Sequence, residues 1–376
     1  MSRLSSEENR LIEAASALVV EEVAPRAAAW ERGDGDCRDA LPMAASLGLT
    51  GLQVPTKHGG LGYSFACKTK VAEVLGGGDF GFAMTLINTH NIAECLAQNA
   101  PSDIARHYVP KLLAGQLIGC TALTEPGAGS DFAAISTKAS AVPGGWKLDG
   151  QKAWITNAAY ADVMLVYAQT SPGSGASGIA GFLVYANRAG FHRDPKADVG
   201  GVRSMGTGGF RMEGYLCSAD EMLFPPGQAF KRALRSINGA RVYVASMSCG
   251  MVAESLRVVS EYGRSRRTFG STLQEHQGWR WSLANAAVDL GAARALIDSA
   301  ATDIDAGVEV QGSAARAKIF ATRMAQEHLS NLLHAMGAEG LREKYPMLRH
   351  IAGVQAAALA DGSTEMLLER VAREFR

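Results

Sequence analysis

The chain carries no surplus of either charge: 37 Lys and Arg stand against 37 Asp and Glu over 376 residues. No global field therefore recruits nucleic acid or an anionic membrane face. Cysteine is sparse, and Cys37, Cys67, Cys95, Cys120, Cys217 and Cys249 lie far apart, without the close pairs of a zinc site or the density of a disulfide scaffold. Reduced thiols in a cytoplasmic protein are the expectation. The eight histidines are dispersed, so no metal-ligand spacing and no Ser–His–Asp order stands out. No apolar run approaches the roughly 18 residues of a membrane span. The opening M-S-R-L-S-S-E-E-N-R is polar and acidic where a secretory leader would be basic and then apolar. These absences point to a soluble globular protein, and 376 residues give room for one large or two to three ordinary domains.

What is present falls into three textures. Ser5 and Glu8 form a capping box ahead of Leu11, Ile12, Ala15, Leu18 and Val19 at helical spacing, so a helix starts there, and Pro25 is expected to bend or end it. Further helical patterns cover 40–48, 64–76, 80–99 and 102–115, punctuated by G-G-L-G, G-G-G-D and Pro101. From Ile118 short β-branched and aromatic runs alternate with turn signals, as in D-V-M-L-V-Y-A and I-A-G-F-L-V-Y-A, which predicts antiparallel β structure. After F-P-P-G-Q the helical period returns near 228–264, 275–306 and 309–337, with shorter stretches beyond Tyr345. The expected fold is α+β, with a helical domain over 1–117, a β domain over 118–226 and a helical domain over 227–376.

Four segments could carry chemistry. T-A-L-T-E-P-G-A-G-S-D at 121–131 runs from a strand into a loop whose Gly127 and Gly129 would let backbone N–H groups approach a flat or anionic ligand, although a plain strand-ending turn reads the same way. In G-Q-K-A-W-I-T-N-A at 150–158, the period of two puts Trp154 and Thr156 on one strand face, as an aromatic wall beside a hydroxyl or as core packing. R-S-R-R-T-F-G at 264–270, followed by E-H-Q at 275–277, is either a solvated helix end or a set of guanidinium forks for a pyrophosphate. In A-L-A-D-G-S-T-E-M-L-L-E-R, Asp361 is the only charge between Arg349 and Glu365. Helix cap, turn residue and proton acceptor all remain open for it.

Together, A-L-T-E-P-G-A-G-S-D, G-Q-K-A-W-I-T-N-A and R-R-T-F-G…E-H-Q in a helix–sheet–helix chain resemble the acyl-CoA dehydrogenase family of flavoproteins along essentially the whole length. The resemblance implies an N-terminal helical domain, a β-barrel-like middle domain and a C-terminal four-helix bundle, with FAD between the last two and a homotetramer built as a dimer of dimers. It implies that Thr121, Leu123, Thr124, Gly129 and Ser130 contact the flavin side of FAD, with Trp154, Ile155 and Thr156 behind the ring. Arg266, Phe269, His276 and Gln277 would reach FAD from the neighbouring subunit, and Ser363 and Glu365 would add cofactor contacts. The family's Q-x-x-G-G-x-G appears as H-A-M-G-A-E-G, so His334, Gly337 and Ala338 replace Gln, Gly and Gly. Ser130, Asn238, Arg241 and Gly362 would face the substrate.

The catalytic Glu of a family Tyr-Glu-Gly-Thr run falls on Asp361 in Ala-Asp-Gly-Ser, and the alternative position for the base is Ala240. Asp361 is thus the candidate base, with its cap reading kept alongside. The chemistry implied is removal of the α hydrogen as a proton and the β hydrogen as a hydride, with burial among Ala356, Ala357, Ala358 and Leu359 raising the carboxyl pKa. An Asp one methylene shorter than Glu, beside Ala360 in place of Tyr, widens the cavity for a bulkier acyl group. The carrier is coenzyme A or an acyl-carrier protein, and the electron acceptor an electron-transfer flavoprotein or another acceptor. A flavin oxidase of a small carbon acid and a non-catalytic flavin-binding homologue are the alternatives.

Overall fold

A computed structural model describes residues 4–375. The Ser5–Glu8 capping box opens α1 (Ser6–Leu18) as expected. Pro25 does not end the helix: a π-helical turn over Val19–Val23 leads into α2 (Ala24–Arg32), with Pro25 in its first turn. The N-terminal position tolerates the missing donor, and the widened turn before it relieves the clash with the preceding carbonyl. The short α3 (Leu41–Ser46), then α4 (Phe65–Gly78), α5 (Phe80–Asn99) and α6 (Ser102–Leu113), complete the first helical stretch.

Eight strands follow: β1 (Gly119–Ala122), β2 (Lys138–Val142), β3 (Gly145–Ile155), β4 (Val163–Gln169), β5 (Ile179–Tyr185), β6 (Phe191–Arg193), β7 (Gly208–Ser218) and β8 (Met222–Phe224). They form one mixed sheet in the order β6-β7-β3-β2-β4-β5-β8, with β1 on β4. The antiparallel expectation is corrected at two pairings, since β1 and β2 both run parallel to β4. Every position of β4 and β5 is buried. Val163, Leu165 and Tyr167 pack with α5 and α6, whereas Met164, Val166 and Ala168 enter the main core, so alternate side chains serve two different cores. That is why these strands read as unbroken apolar runs.

The last part holds α7 (Ala229–Ser265), a small hairpin of β9 (Arg267–Thr268) and β10 (Ser271–Thr272), α8 (Gln277–Asp305), α9 (Gln311–Met336), α10 (Met347–Leu359) and α11 (Thr364–Ala372). By length and composition α7 could cross a membrane, which the sequence reading missed, but most of its apolar window is buried inside the protein. Glycines set the crossing of α4 and α7. A Cβ on Gly250 would lie 1.8 Å from the Glu73 carbonyl oxygen, and one on Gly76 2.6 Å from Met247 Cα. This close approach brings Lys68 of α4 against Tyr243 of α7, with the ammonium 5.4 Å from the ring centre.

Candidate active site

The loop after β1 is stitched to the end of β3 by one buried ion pair. Glu125 accepts from Ser136 N–H (2.6 Å), Ser136 Oγ (2.7 Å), Thr137 N–H (3.0 Å) and Lys152 Nζ (2.8 Å). Lys152 also donates to the Leu123 carbonyl (3.0 Å), and Ala153 N–H donates to that of Thr124 (3.1 Å). Leu123 and Thr124 are thereby brought against Lys152 and Ala153, next to Trp154, Ile155 and Thr156, with Thr121 in β1 before them and Gly129 and Ser130 in the loop after. Burial works to raise the Glu125 pKa, but the Lys152 charge and these hydrogen bonds hold it down at about 2.

Trp154 and Thr156 do not share a strand face. β3 shifts register between Lys152 and Ile155, Trp154 adopts φ +58 and Asn157 φ +67, and Thr156 already lies in the following turn. The bulge breaks the period of two. It turns Trp154 outward, 69% exposed, and Ile155 into the core. Asn157 pins the turn by donating to the carbonyls of Thr85 (3.0 Å) and Gly119 (2.9 Å). A Cβ on Gly127 would meet nothing within 4 Å. An exposed indole beside an unobstructed glycine loop fits the flavin of FAD.

The second set of expected cofactor residues lies apart. Arg266 follows the last turn of α7, and Phe269 at φ +50 with Gly270 makes the β9–β10 turn, leaving the Phe269 ring 98% exposed. His276 Nε2 lies 3.2 Å from the Thr268 carbonyl oxygen, and Gln277 opens α8 on the surface. Trp279 packs on Gly263 and donates to the Ala335 carbonyl (3.0 Å), so the hairpin shares a surface with exposed His334 and Gly337 at the end of α9.

Asp361 is held from two helices. Lys318, on the buried Ala314–Ala321 face of α9, donates to the Gly362 carbonyl (2.7 Å) and to that of Ala360. Arg241 of α7 donates through Nε to the Asp361 carbonyl (3.0 Å) and through Nη1 to Asn238 Oδ1 (2.7 Å). Three successive carbonyls thus accept from two cations, and the chain turns at Asp361 (φ +54) and Gly362 (φ +105). Asp tolerates this left-handed region better than most residues.

The same turn overturns the cap reading: α11 is preceded by Ser363 in extended conformation, two residues past Asp361, with exposed Glu365 in its first turn. Leu359 does not bury the acid either, being 72% exposed, because α10 presents it outward. Burial nevertheless pushes the Asp361 carboxyl above its usual value, against the opposing charges of Lys318 and Arg241. For Lys318 itself, burial lowers the pKa to about 8 despite the Asp361 charge. Both cations direct hydrogen bonds to the backbone, which leaves the carboxylate oxygens able to meet a substrate.

Comparison with known proteins then decides the family. The models for the N-terminal, middle and C-terminal domains of acyl-CoA dehydrogenases match residues 5–116, 120–215 and 227–375. The human mitochondrial short-chain specific acyl-CoA dehydrogenase is 31% identical over 322 residues, 85% of this chain and 78% of its own. The chain belongs to the acyl-CoA dehydrogenase family. It is an FAD-dependent oxidoreductase of that type. The short/branched chain specific acyl-CoA dehydrogenase of Rattus norvegicus is 28% identical, covering 94% of this chain and 82% of its own. The butyryl-CoA dehydrogenase structure from Megasphaera elsdenii superposes with a TM-score of 0.95 at 26% identity, covering 100% of this chain and 99% of the other.

Sequence reasoning missed Lys318, Lys152 and Glu125. Each left a signal: a lysine on an alanine-rich helical face, and two opposite charges inside the quoted flavin motifs. Lys152→Met leaves Glu125 buried without its cation, and should lower unfolding free energy by about 3–5 kcal/mol at neutral pH in urea titration. A loss under about 1 kcal/mol would contradict the stitching role. Because the folded Glu125 pKa lies below the ordinary 4.5, its contribution is complete above that value and is lost as pH falls toward 2.

Proposed function

We propose that this acyl-CoA dehydrogenase relative removes the α proton of an acyl thioester with the carboxylate of Asp361. The observation that carries the assignment is the locked left-handed turn, which holds a partly buried carboxyl with its pKa raised and its oxygens clear of hydrogen bonds from Arg241 and Lys318. A carboxylate with an elevated pKa is a stronger base once ionised, which suits a weakly acidic α carbon. Bound FAD supplies the acceptor for the β hydrogen as a hydride. Thr121, Leu123, Thr124, Gly129, Ser130, Trp154, Ile155 and Thr156 hold its flavin side, with Ile155 contributing backbone only, since its side chain is buried. Ser363 and Glu365 add contacts beside the base. Ser130, Asn238, Arg241 and Gly362 border the thioester.

Relatives named for short-chain and short/branched chain acyl-CoA support a short acyl group. Asp361 and Ala360, where the family has Glu and Tyr, leave added space near its reacting carbons. The carrier is coenzyme A or a carrier protein, the acceptor an electron-transfer flavoprotein or its equivalent, and the compartment the cytoplasm. The three domains are read as 1–117, 118–226 and 227–376. Arg266, Phe269, His276 and Gln277 sit on an exposed hairpin, which supports their reaching a neighbouring subunit's cofactor in a dimer of dimers.

Asp361→Asn keeps the side-chain shape and removes the base. Stopped-flow flavin reduction should fall at least about 10²-fold with FAD loading unchanged, and an unaltered rate would overturn the assignment. Light scattering of the FAD-loaded protein should return four chains of 39.6 kDa. A stable loaded monomer would contradict the shared-cofactor arrangement.

A further inference from the structure

A buried polar cluster leads away from Asp361 into the packing of α4 and α5. Tyr243 stands three residues after Ala240, the alternative base position, on the same buried face of α7, and burial and the Asp361 charge both push its phenol up. Its hydroxyl accepts from Asn91 Nδ2 (3.2 Å), and Asn91 Oδ1 accepts from Lys68 Nζ (2.7 Å). Lys68 is 3% exposed and gives a second hydrogen bond to Gln53 Oε1 (2.9 Å), leaving one of the three N–H bonds of an ammonium for another acceptor. The carboxylate of Glu94 reaches only to 4.0 Å from it. Burial lowers the Lys68 pKa to about 8.

Beside it, His90 is fully buried, with Nδ1 3.2 Å from the Thr50 carbonyl oxygen. A carbonyl only accepts, so Nδ1 carries the proton and Nε2 presents a lone pair. Nε2 has no hydrogen-bond partner, and the Glu94 oxygen 3.6 Å away is itself an acceptor. Burial and the Lys68 charge keep the ring neutral by lowering its pKa well below the usual value. Around these two groups, Gln53, Asn91 and Glu94 are only partly buried.

We propose that Lys68, His90 and Asn91 form a recognition subsite, reached from Asp361 past Tyr243, for a hydroxyl group carried on the acyl chain. The complementarity decides the class. A hydroxyl accepts from Lys68 and donates to His90 Nε2 or Glu94. A carboxylate would meet a lone pair and a second carboxylate, and an alkyl chain would leave His90 Nε2 and the third Lys68 N–H unpaired. The substrate is then a hydroxylated acyl thioester, and this deepens the dehydrogenase reading on which it rests.

The test uses the FAD-loaded enzyme with matched series of coenzyme A thioesters: unsubstituted, ω-hydroxylated and ω-carboxylated, at several chain lengths. At one length the hydroxylated chain should exceed its unsubstituted analogue by about 10²-fold in kcat/KM, the order expected where a buried site is built for a hydroxyl. Lys68→Met should shrink that ratio at least tenfold. Asn91→Leu, at a partly exposed position, serves the same end should Lys68→Met fail to fold. Calorimetry with a non-oxidisable hydroxyalkyl thioether of coenzyme A should show the same loss of affinity in the variant. Equal rates for hydroxylated and unsubstituted chains at every length, with a ratio unmoved in the variant, would mean that resident water fills the cluster and the subsite is wrong. A preference for the carboxylated chain would overturn the hydroxyl assignment. Failure of every thioester to reduce the flavin would instead sink the dehydrogenase reading itself.

Discussion

The Lys318 ammonium, donating to the carbonyls on either side of Asp361, is the contact on which the active-site arrangement depends. A lysine this deeply buried needs strong acceptors, and the left-handed turn supplies them by aiming the Ala360 and Gly362 carbonyls inward. Arg241 takes the carbonyl between them from the opposite helix. The turn therefore satisfies the cations and the cations hold the turn. Asp361 is left buried enough to raise its pKa, with its oxygens not engaged by either cation in hydrogen bonds.

The flavin side uses the same principle with different parts. Lys152 binds both a carboxylate and the Leu123 carbonyl, so one buried ammonium ties the glycine loop to the bulged end of β3. In both places a buried lysine acts as a backbone staple beside a positive-φ residue, Trp154 in one and Asp361 in the other. The proposed flavin and substrate contacts fall on these two residues, whose backbone regular secondary structure would not hold.

The main architecture was legible because it rests on periodicity and punctuation. The capping box at Ser5, the glycine breaks around α4 and the apolar runs of β4 and β5 each have one local cause, and each appears where the sequence put it. Less legible were features set by distant partners. Trp154 left its strand face because of a bulge, Asp361 lost its cap reading to a turn held by residues 120 and 42 positions away from their partners, and Pro25 was absorbed by a π turn. The parallel pairings of β1 and β2 with β4 depend on which strands become neighbours, which no local pattern states. Lysines on apolar helical faces were the overlooked signal, at Lys68 as at Lys318.

The most direct test of the staple at the base is the pH dependence of anaerobic flavin reduction at saturating substrate, compared between the wild type and Lys318→Met. With Asp361 as the proposed base the rate requires its ionised form, so it falls as pH drops through the pKa of that carboxyl. The inflection should lie above the ordinary 3.8 in the wild type and rise further in the variant, because one of the two cations favouring the ionised form is gone. An inflection that stayed in place or moved to lower pH in Lys318→Met would contradict it.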